Sequence, residues 1–528
     1  MDEILIPPTE SISEKDFWEA LEAGRSIYNT IIDFPVEFEL KEELIAARFF
    51  GVVFKEKLTI KGSEDKASGI YLRNTVFEKD VVFLSLEVDR IQADDCEFKH
   101  CLNLRGSVYS EDSSLERCVF GELYLSSVNF QALFLIDVII NGAYIIDRCE
   151  FASSLLIRNT RITSGFEIRN NNEPYTFCQD LYIERSAFNS SFYILNAMVD
   201  RMTIIDSVIQ GQPKIQYFND ADFLKISGLK TDKPFKVYLN DNVVRSLIVD
   251  PGKEAEGKLV VWKGSINYLS LIGGNQSLHI TFDELFIYSL NIDSFINNYR
   301  VNFLDCKAKK TIEVKNSKFT ISESDLGITA FYDCDFSAFH NFKIKYSTTN
   351  QVVLRSTKLF SAEKKLIKSN SAAEQRDVYQ QLKHASNNQG NRIQALEFQA
   401  REYRAYKRGI KDRRPWWHGD RWILLLSQTN DYGLNWQKPV LLSAVWTLLI
   451  YTVIVLSLDT DGDNLSLISQ NWQVFWQLFN PAHRLESLFL DYPNCLTGWT
   501  YFWDFLHRLG YTFLIYQIIS EFRKFYKK

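Results

Sequence analysis

Residues 96–104 read CEFKHCLNL, and residues 118–125 read CVFGELYL. In each stretch a bulky apolar residue is followed by two more, at offsets of four and six or of three and five. This alternation of apolar and polar residues is typical of a strand that has one buried face. The two stretches therefore predict the same strand, built twice.

The same spacing recurs through much of the N-terminal half, with ten or eleven residues between the bulky positions. The first series consists of Phe77, Val88, Phe98, Tyr109, Phe120, Phe130, Ile140, Phe151 and Ile162. After Ile140, we take Ala143 and Ile145 as the following apolar pair. An insertion at 170–174 interrupts the series, which resumes at Phe177, Phe188, Val199 and Ile209. So regular a recurrence predicts a repeat architecture.

A unit of ten or eleven residues is too short to encircle a core, but two units make roughly 21 residues, about the size of one β-helix rung. We therefore predict a mainly β fold: a right-handed β-helix (β-solenoid), then an αα-hairpin and a C-terminal two-helix transmembrane module. Side chains at one rung position should contact their copies above and below, Phe on Phe. A β-sandwich is the alternative, although it does not require so strict a period.

The cysteines fit this repeat better than they fit a metal or redox site. Cys96, Cys118 and Cys149 each stand two residues before a Phe, and no C-x-x-C pair occurs. The start of the chain lacks the basic residues and apolar run of a signal peptide, so we expect the bulk of the protein in the reducing cytoplasm. The seven histidines show no spacing typical of a zinc site. We predict neither a metal nor another cofactor.

The charge distribution limits the function classes. A formal net charge of −6 gives no overall nucleic-acid footprint, so any anion-binding surface must be local. The acids Asp94, Asp95, Asp333 and Asp335 have no accompanying His, and we interpret them as solvated corners of the repeat. The chain is therefore not expected to be an enzyme, and a polysaccharide-processing activity on a β-helix is set aside.

The patterns divide the chain into consecutive segments. Residues 1–65 lack the repeat and are predicted to cap the open end of the solenoid. The other segments are a regular solenoid at 66–222, irregular solenoid rungs at 223–365, a helical hairpin at 371–411, a juxtamembrane segment at 412–438, a first transmembrane helix at 439–458, an extracytoplasmic loop with a pore-helix-like segment at 459–498, a second transmembrane helix at 499–520 and a basic cytoplasmic tail at 521–528.

Capping boxes at 371–374 and 391–394 mark the starts of the two helices of the hairpin. The hairpin ends in a basic run that consists of Arg401, Arg404, Lys407, Arg408, Lys411, Arg413 and Arg414. Trp416 and Trp417 follow, and this combination suits a cytoplasmic membrane surface. A binding site for an anionic ligand and a solvated helix face are the other interpretations of the run.

Residues 439–458 are uncharged and numerous enough to cross a bilayer as a helix. The second stretch, 499–520, contains Asp504, His507 and Arg508, and a buried core helix is its alternative. Basic residues precede the first stretch and follow the second, while acidic residues open the loop between them. The positive-inside rule then predicts a multi-pass protein with both ends, and the solenoid, in the cytoplasm.

Within the loop, the aromatic segment 472–479 is stopped by an Asn-Pro pair, which gives the order span, pore helix, span. Because lipid rejects charge, His483 and Arg484 after the break should face Asp504 and Arg508 of the second stretch, or water, at a shared axis. The pore or gate candidates are Phe475, Phe479, Asn480, Pro481, His483, Arg484, Asp504 and Arg508. The loop contains no filter of the potassium-channel type.

Residues 378–391, VYQQLKHASNNQGN, and 397–403, EFQAREY, resemble the hairpin after the repeats in bacterial pentapeptide-type membrane proteins with C-terminal channel-like domains. Residues 479–484 and 516–528 resemble the end of the same architecture. The layout is also similar to channel effectors of bacterial anti-phage defence, including the Hailong type. The resemblance implies a homo-oligomer such as a tetramer in the bacterial inner membrane, a nucleotide or short nucleic-acid ligand, and a partner nucleotidyltransferase. The repeats depart from the family in being ten or eleven residues long rather than five.

Two spans cannot enclose a conduit, so a pore requires several copies of the chain. We therefore expect a membrane-tethered sensor and effector whose cytoplasmic β-solenoid controls an oligomeric C-terminal ion channel or pore in antiviral defence. The alternative is a non-conducting membrane-anchored solenoid that serves as a scaffold for protein interactions. Ion flux across liposome membranes distinguishes the two functions.

Overall fold

Short parallel strands make up the N-terminal part of this computed structural model. The structure describes residues 10–40, 46–62, 67–169, 176–211, 213–217, 221–252, 254–309, 317–339, 341–345, 347–348, 352–357, 372–388, 390–411, 419–459, 467–469, 471–489 and 495–526. The chain divides into two units, Met1–Lys368 and Ser369–Lys528.

The strands of the first unit run from β1 to β37. Those before the predicted insertion are β1 Glu10–Ser11, β2 Ile27–Tyr28, β3 Thr30–Ile32, β4 Val36–Leu40, β5 Ala46–Phe50, β6 Val53–Phe54, β7 Leu58–Gly62, β8 Ala67–Arg73, β9 Val76–Phe77, β10 Val81–Leu84, β11 Glu87–Asp94, β12 Glu97–Arg105, β13 Val108–Glu116, β14 Val119–Ser126, β15 Asn129–Ile136, β16 Ile139–Ile140, β17 Ala143–Asp147, β18 Glu150–Arg158, β19 Arg161–Ile162 and β20 Gly165–Arg169. Those after it are β21 Thr176–Glu184, β22 Ala187–Phe188, β23 Ser191–Ile205, β24 Val208–Ile209, β25 Pro213–Tyr217, β26 Ala221–Ser227, β27 Lys230–Thr231, β28 Phe235–Tyr238, β29 Val243–Asp250, β30 Glu256–Asn275, β31 Ser277–Asn297, β32 Arg300–Leu304, β33 Lys307–Ala308, β34 Lys318–Ser322, β35 Ile328–Tyr332, β36 Asn341–Lys345 and β37 Val353–Arg355.

Each strand pairs in parallel with its counterpart one rung away. Strand β12 pairs with β14, so that Phe98 lies beside Phe120 and Leu102 beside Leu123. The matched positions are one double unit apart, which confirms that two units form one rung. The first unit is therefore a parallel β-solenoid, as the repeat predicts. It has about 14 turns.

The interior is filled by ladders of identical or similar side chains. The rings of Phe77, Phe98 and Phe120 stack in order, with successive centroids 4.6 and 4.8 Å apart. A second ladder stacks Tyr109 on Phe130 at 4.6 Å. Because all five side chains are at most 2% exposed, each ring contacts its copies above and below. Each such aromatic contact adds about 0.5–1.5 kcal/mol to the stability of the fold, beyond the contribution of the apolar area that it buries.

Many rungs turn at a residue in the left-handed backbone region. Asp95, Asp137 and Asn159 occupy this position with φ of 53°, 56° and 50°. Asp and Asn tolerate that region better than most residues, because their short polar side chains hydrogen-bond locally. The side-chain amide of Asn159 donates to Asp137 one rung away at 3.0 Å. The polar residues between units are therefore turn formers, as their composition predicts.

The register of two units differs from the predicted one. Tyr144 and Ile146 enter the interior and pair with Leu123 and Leu125, so the prediction of Ala143 and Ile145 was wrong. The turn after β16 contains one more residue than the turn after Phe120, and a shift of one residue exchanges the two faces of a strand. After the insertion, Cys178 rather than Phe177 continues the ladder, because it pairs with Phe151 and Val199.

The solenoid pairing reaches further toward the N-terminus than expected. Within 1–65, the stretch predicted as a cap, β2 pairs with β5 and β4 pairs with β7. Helix α1, Glu14–Glu22, buries Phe17 and Leu21, and Ser13 caps its first turn. The strands here are only two to five residues long, so their alternation is difficult to recognise in the sequence.

The second half of the solenoid contains its longest strands, where we expected irregular rungs. Strands β30 and β31 have 20 and 21 residues and pair along nearly their whole length. Residue 264 has to be a glycine, because a Cβ atom at this position would lie only 2.3 Å from Cβ of Leu239 and would clash with it. These rungs are regular in pairing although their sequence repeat is weak, because backbone hydrogen bonds do not depend on side-chain identity.

The second unit is helical. Its elements are α2 Ala372–Asn388, α3 Arg392–Lys411, α4 Gly419–Ser427, a 3₁₀ turn Gln428–Asn430, α5 Gln437–Leu456, α6 Trp472–Gln477, α7 Leu485–Leu488 and α8 Gly498–Tyr526. Helices α2 and α3 form the predicted hairpin, and Lys383 pairs with Glu402 between them at 2.7 Å. Asn391 accepts from the backbone N–H of Gln394 at 3.2 Å, as its capping box predicts, whereas Ser371 of the other box lies outside the described residues.

One helix of the described residues, α5, is long and apolar enough to cross a membrane. It corresponds to the first predicted span, 439–458. Helix α8 has 29 residues and covers the second predicted span, but Asp504, His507 and Arg508 interrupt its apolar run. The two helices pack along each other. The indole of Trp446 on α5 lies against Gly510 on α8, where any Cβ atom would lie only 2.7 Å from Nε1 of Trp446 and would clash with it.

Candidate functional site

A network of ionisable side chains, centred on the buried Asp504, connects α8 with the loop after α6. Nε2 of His483 lies 2.7 Å from Oδ1 of Asp504. Arg508, one helical turn further along α8, donates from Nε and Nη2 to the other carboxylate oxygen of Asp504, at 2.9 and 2.7 Å. Only 5% of Asp504 is exposed, so its charge is balanced by these two partners rather than by water.

The Asn-Pro turn orients His483 for this contact. The chain leaves α6 at Leu478, and the backbone carbonyl of Asn480 accepts a hydrogen bond from Nδ1 of His483 at 2.6 Å. Both ring nitrogens of His483 therefore face oxygen atoms, one of a backbone carbonyl and one of a carboxylate. The arrangement ties the loop to α8.

A cavity of 790 Å³ opens beside the network. Its lining consists of His483, Arg484, Leu485, Glu486, Ser487, Tyr501, Asp504 and Arg508. The hydroxyl of Tyr501 donates to Glu486 at 2.9 Å, which joins α7 to α8. The structure thus brings together four of the predicted pore candidates, and it adds Glu486 and Tyr501, which the sequence analysis did not single out.

The other four candidates have different surroundings. Phe475 is buried against α5, with its ring centroid 6.1 Å from that of Tyr451. Phe479 contacts Phe475 at 5.3 Å and Tyr511 of α8 at 5.7 Å. Asn480 and Pro481 are exposed. The two phenylalanines therefore brace α6 against the long helices and do not line the cavity.

Helices α5 and α8 also meet at a polar contact. Thr447 of α5 lies 3.2 Å from Nε2 of His507, and both residues are fully buried. The ring of His507 stacks on Tyr511 at 5.6 Å and lies 6.2 Å from the ring of His483. The sequence does contain a signal for this contact. Polar side chains recur four residues apart along α8, and residues with this spacing lie on one face of a helix.

The basic run at the end of α3 is mostly engaged within the second unit. Arg404 pairs with Asp431 at 2.8 Å, and Arg408 donates to Gln375 of α2 at 2.8 Å. Burial lowers the pKa of Arg401, which is half-buried, whereas the side chain of Lys407 is exposed. Three predicted members of the run, the side chain of Lys411 and both Arg413 and Arg414, lie outside the described residues. The described arginines therefore hold neighbouring helices together.

A surface that the sequence analysis missed lies on one outward side of the solenoid. We name it the cationic-aromatic face, and its residues are Tyr193, Lys214, Lys236, Tyr238, Lys258, Trp262, His279 and Arg300. Each occupies an outward position of consecutive rungs between β23 and β32. Parallel register brings them together although they are spread over more than 100 residues of sequence.

The side chains of this face interact as a group. Nζ of Lys214 lies 4.9 Å from the ring centroid of Tyr238, and the Tyr238 and Trp262 rings are 5.1 Å apart. Burial, together with the positive charges of Lys258 and Arg300, lowers the pKa of His279. In the part of the chain that the structure describes, the three lysines form no ion pair, whereas Arg158 and Arg201 on another side are paired with acids. Asp283 pairs with Trp262 on the next rung, but Lys214, Lys236, Lys258 and Arg300 still give this side of the solenoid a local excess of positive charge.

The remaining acids and thiols belong to the repeat. Asp94 and Asp95 both pair with Arg117 from the next rung, and Asp335 accepts from Ser337 at 3.0 Å. All eight cysteines are free, and burial raises the pKa of Cys149 to about 12. Among the described residues, no group of three or more His, Cys, Asp or Glu side chains is arranged to hold a metal ion.

Two assemblies thus stand out: the charged network with its cavity in the second unit, and the cationic-aromatic face on the solenoid. Comparison with protein-family models, with curated proteins and with solved structures finds no match to this chain.

Proposed function

We propose that this protein is a membrane-tethered sensor and effector, in which the β-solenoid receives an anionic signal and controls an oligomeric pore formed by the C-terminal helices. The observation that carries the proposal is the network that joins His483 of the loop to Asp504 and Arg508 of α8, packed beside the apolar helix α5. A helix that only anchors a solenoid in lipid does not need an Asp and an Arg within its apolar run, paired with each other and with a loop histidine.

In this proposal the network places charged side chains in helices that lie in a membrane. Charged side chains in a membrane are costly, and they usually face protein or a water-filled path. The cavity beside the network offers such a path, since Arg484, Glu486 and Tyr501 line it as well. Because one chain supplies only α5 and α8, several copies, for example four in a ring, are needed to enclose a conduit. In this proposal α8 is the second span of a multi-pass protein of the bacterial inner membrane, with the solenoid in the cytoplasm.

The cationic-aromatic face supports the sensing half of the proposal. Single-stranded nucleic acids bind to surfaces where cations contact phosphates and aromatic rings stack on bases. Lys214, Lys236 and Lys258 supply the charge, and Tyr238 and Trp262 supply the rings. A nucleotide or a short oligonucleotide made by a partner nucleotidyltransferase fits this chemistry, and such control would suit an anti-phage defence effector.

Ion flux tests the pore directly. Purified protein reconstituted into liposomes is expected to release a trapped potassium or chloride indicator, and the release should change when an oligonucleotide is added. The alternative, a non-conducting membrane-anchored scaffold, is favoured by one observation, namely that α5 alone among the described helices is apolar enough to span. Protein that inserts into the liposomes but conducts no ion under either condition would leave the scaffold as the function.

Binding of a single-stranded oligonucleotide is expected to depend on the cationic-aromatic face. Replacing Lys236 with Glu should weaken binding of a poly(dT) oligomer about tenfold, and binding by the unmodified protein should weaken steeply as salt is raised. Lys225→Glu is the matched control, because Lys225 lies at an outward strand position on another side of the solenoid. Fluorescence anisotropy measures both. Equal losses in the two variants would mean that net charge, and not this face, governs binding.

A further inference from the structure

We propose that the turn formed by residues 428–433, which we name the coupling turn, transmits changes in the hairpin α2–α3 to the long helix α8. The inference rests on the proposed function, in which a signal received outside the membrane must reach the pore helices. The turn lies between α4 and α5, and its side chains contact both α3 and α8. It is therefore a physical connection between the hairpin and the proposed pore.

Two successive residues of α3 hold two successive residues of the turn. Nη2 of Arg404 lies 2.8 Å from Oδ1 of Asp431. The same guanidinium lies 6.0 Å from the ring centroid of Tyr432, and the rings of Tyr403 and Tyr432 are 5.9 Å apart. A rotation or shift of α3 would therefore displace Asp431 and Tyr432 directly.

Asn430 connects the turn to α8. Its side chain is 5% exposed, and its Nδ2 donates to Oε1 of Gln517 at 2.6 Å. Its Oδ1 accepts from the backbone N–H of Gly433 at 3.1 Å, and its carbonyl accepts from Gly433, Leu434 and Asn435. Asn430 thus holds the segment that leads into α5 by hydrogen bonds from backbone N–H groups, and it reaches α8 through one side-chain hydrogen bond.

The backbone of the turn is in an unusual conformation. Asp431, Tyr432 and Gly433 have φ angles of 53°, 61° and 94°, so three residues in succession occupy the left-handed region. Residues other than glycine are strained there, and such strain persists only where surrounding contacts impose it. The contacts from α3 are among those that impose it. Loss of these contacts should let the turn relax, and Asn430 would move with it because it is the adjacent residue.

Hydrogen exchange in α8 tests the connection without any need for ion flux. Arg404→Glu in the full chain is expected to speed backbone amide exchange around Gln517 about two- to fivefold, the range that follows from losing an exposed ion pair. The variant Asp431→Arg should have the same effect, and the double variant Arg404→Glu/Asp431→Arg should restore most of the protection. Gln517→Leu should speed exchange as well, whereas Gln517→Glu, which keeps an acceptor for Asn430, should not.

The matched control is the ion pair between Lys383 and Glu402, which joins α2 to α3 at 2.7 Å and has no contact with the turn among the described residues. Lys383→Glu should leave exchange in α8 unchanged. If Arg404→Glu leaves exchange in α8 unchanged, or if Lys383→Glu speeds it equally, the coupling turn is not the connection. Melting temperatures of all variants separate a local effect from general unfolding, and the double variant covers the case in which a single variant fails to fold.

The flux measurement separates this inference from the proposed function. If the unmodified protein conducts and the response to poly(dT) falls about fivefold or more in Arg404→Glu, the turn couples sensing to the pore. If the unmodified protein conducts and Arg404→Glu responds normally, the pore stands and the coupling turn is overturned. If the unmodified protein conducts no ion under either condition, the proposed function fails, and the exchange data alone decide whether the turn joins α3 to α8.

Discussion

Replacing Phe120 with Asp is expected to unfold the solenoid around its rung. The Phe120 ring is fully buried between Phe98 above and the Ile140 position below. Removing a buried Phe ring alone costs about 3–5 kcal/mol, and the new carboxylate would enter the stack without a partner. The total loss, more than about 5 kcal/mol, is comparable with the whole stability of a typical domain.

Thermal unfolding followed by circular dichroism measures this effect. Phe134→Asp is the matched control, since Phe134 lies in β15 at an outward position and is half-buried. Its replacement should cost about 1 kcal/mol, in the usual range for substitutions away from the core. A melting temperature of Phe120→Asp equal to that of Phe134→Asp would contradict the register in which Phe98 pairs with Phe120.

Deleting residues 471–484 is expected to abolish ion flux and cell depolarisation while leaving membrane insertion intact. The deletion removes α6 with its brace, Phe475, and removes His483, so Asp504 loses one of its two partners. Helix α5 is unchanged and retains the length and composition to insert. Expression of the intact protein at high level should harm cells, and expression of the shortened chain should not.

A single substitution tests the same site more finely. Asp504→Asn keeps the side-chain volume but leaves His483 and Arg508 without their shared carboxylate. Ion flux is expected to fall at least about tenfold, because breaking a buried ion pair costs about 3–5 kcal/mol. Asp459→Asn is the control, since Asp459 is exposed and lies three residues after the end of α5. Depolarisation by the deleted chain or by Asp504→Asn at the level of the intact protein would contradict the pore and favour the anchored scaffold.

The solenoid was predictable because its information is local and repeated. An alternation of apolar and polar residues with a period of two defines a strand, and its recurrence defines the rung. The sequence was less informative about which residues of each strand face the interior. The buried positions are moved by one residue at two places, after the extra residue before Tyr144 and after the insertion before Cys178. The sequence alone does not show how many residues a turn takes up, so these shifts could not be predicted.

The candidate site was predictable only in part. The cost of charge in an apolar helix singled out Asp504 and Arg508, and the Asn-Pro break drew attention to His483. Glu486 and Tyr501 carry no such signal, because polar residues near helix ends are ordinary, and Thr447 carries none because an uncharged threonine is common within an apolar helix. Likewise the basic run near Arg404 was conspicuous as a run, but its partners Asp431 and Gln375 are distant in sequence.

The sequence by itself determined the β-solenoid, the change to helix near residue 371 and the apolar helix α5, since each depends on the period or composition of one continuous stretch. Only the tertiary structure decided that Lys214, Tyr238 and Trp262 share one face, and that His483 pairs directly with Asp504 rather than facing water. The physical reason is that hydrogen-bonded register and helix packing place residues side by side regardless of their separation along the chain. A face assembled from several rungs therefore becomes visible only once the rungs are stacked.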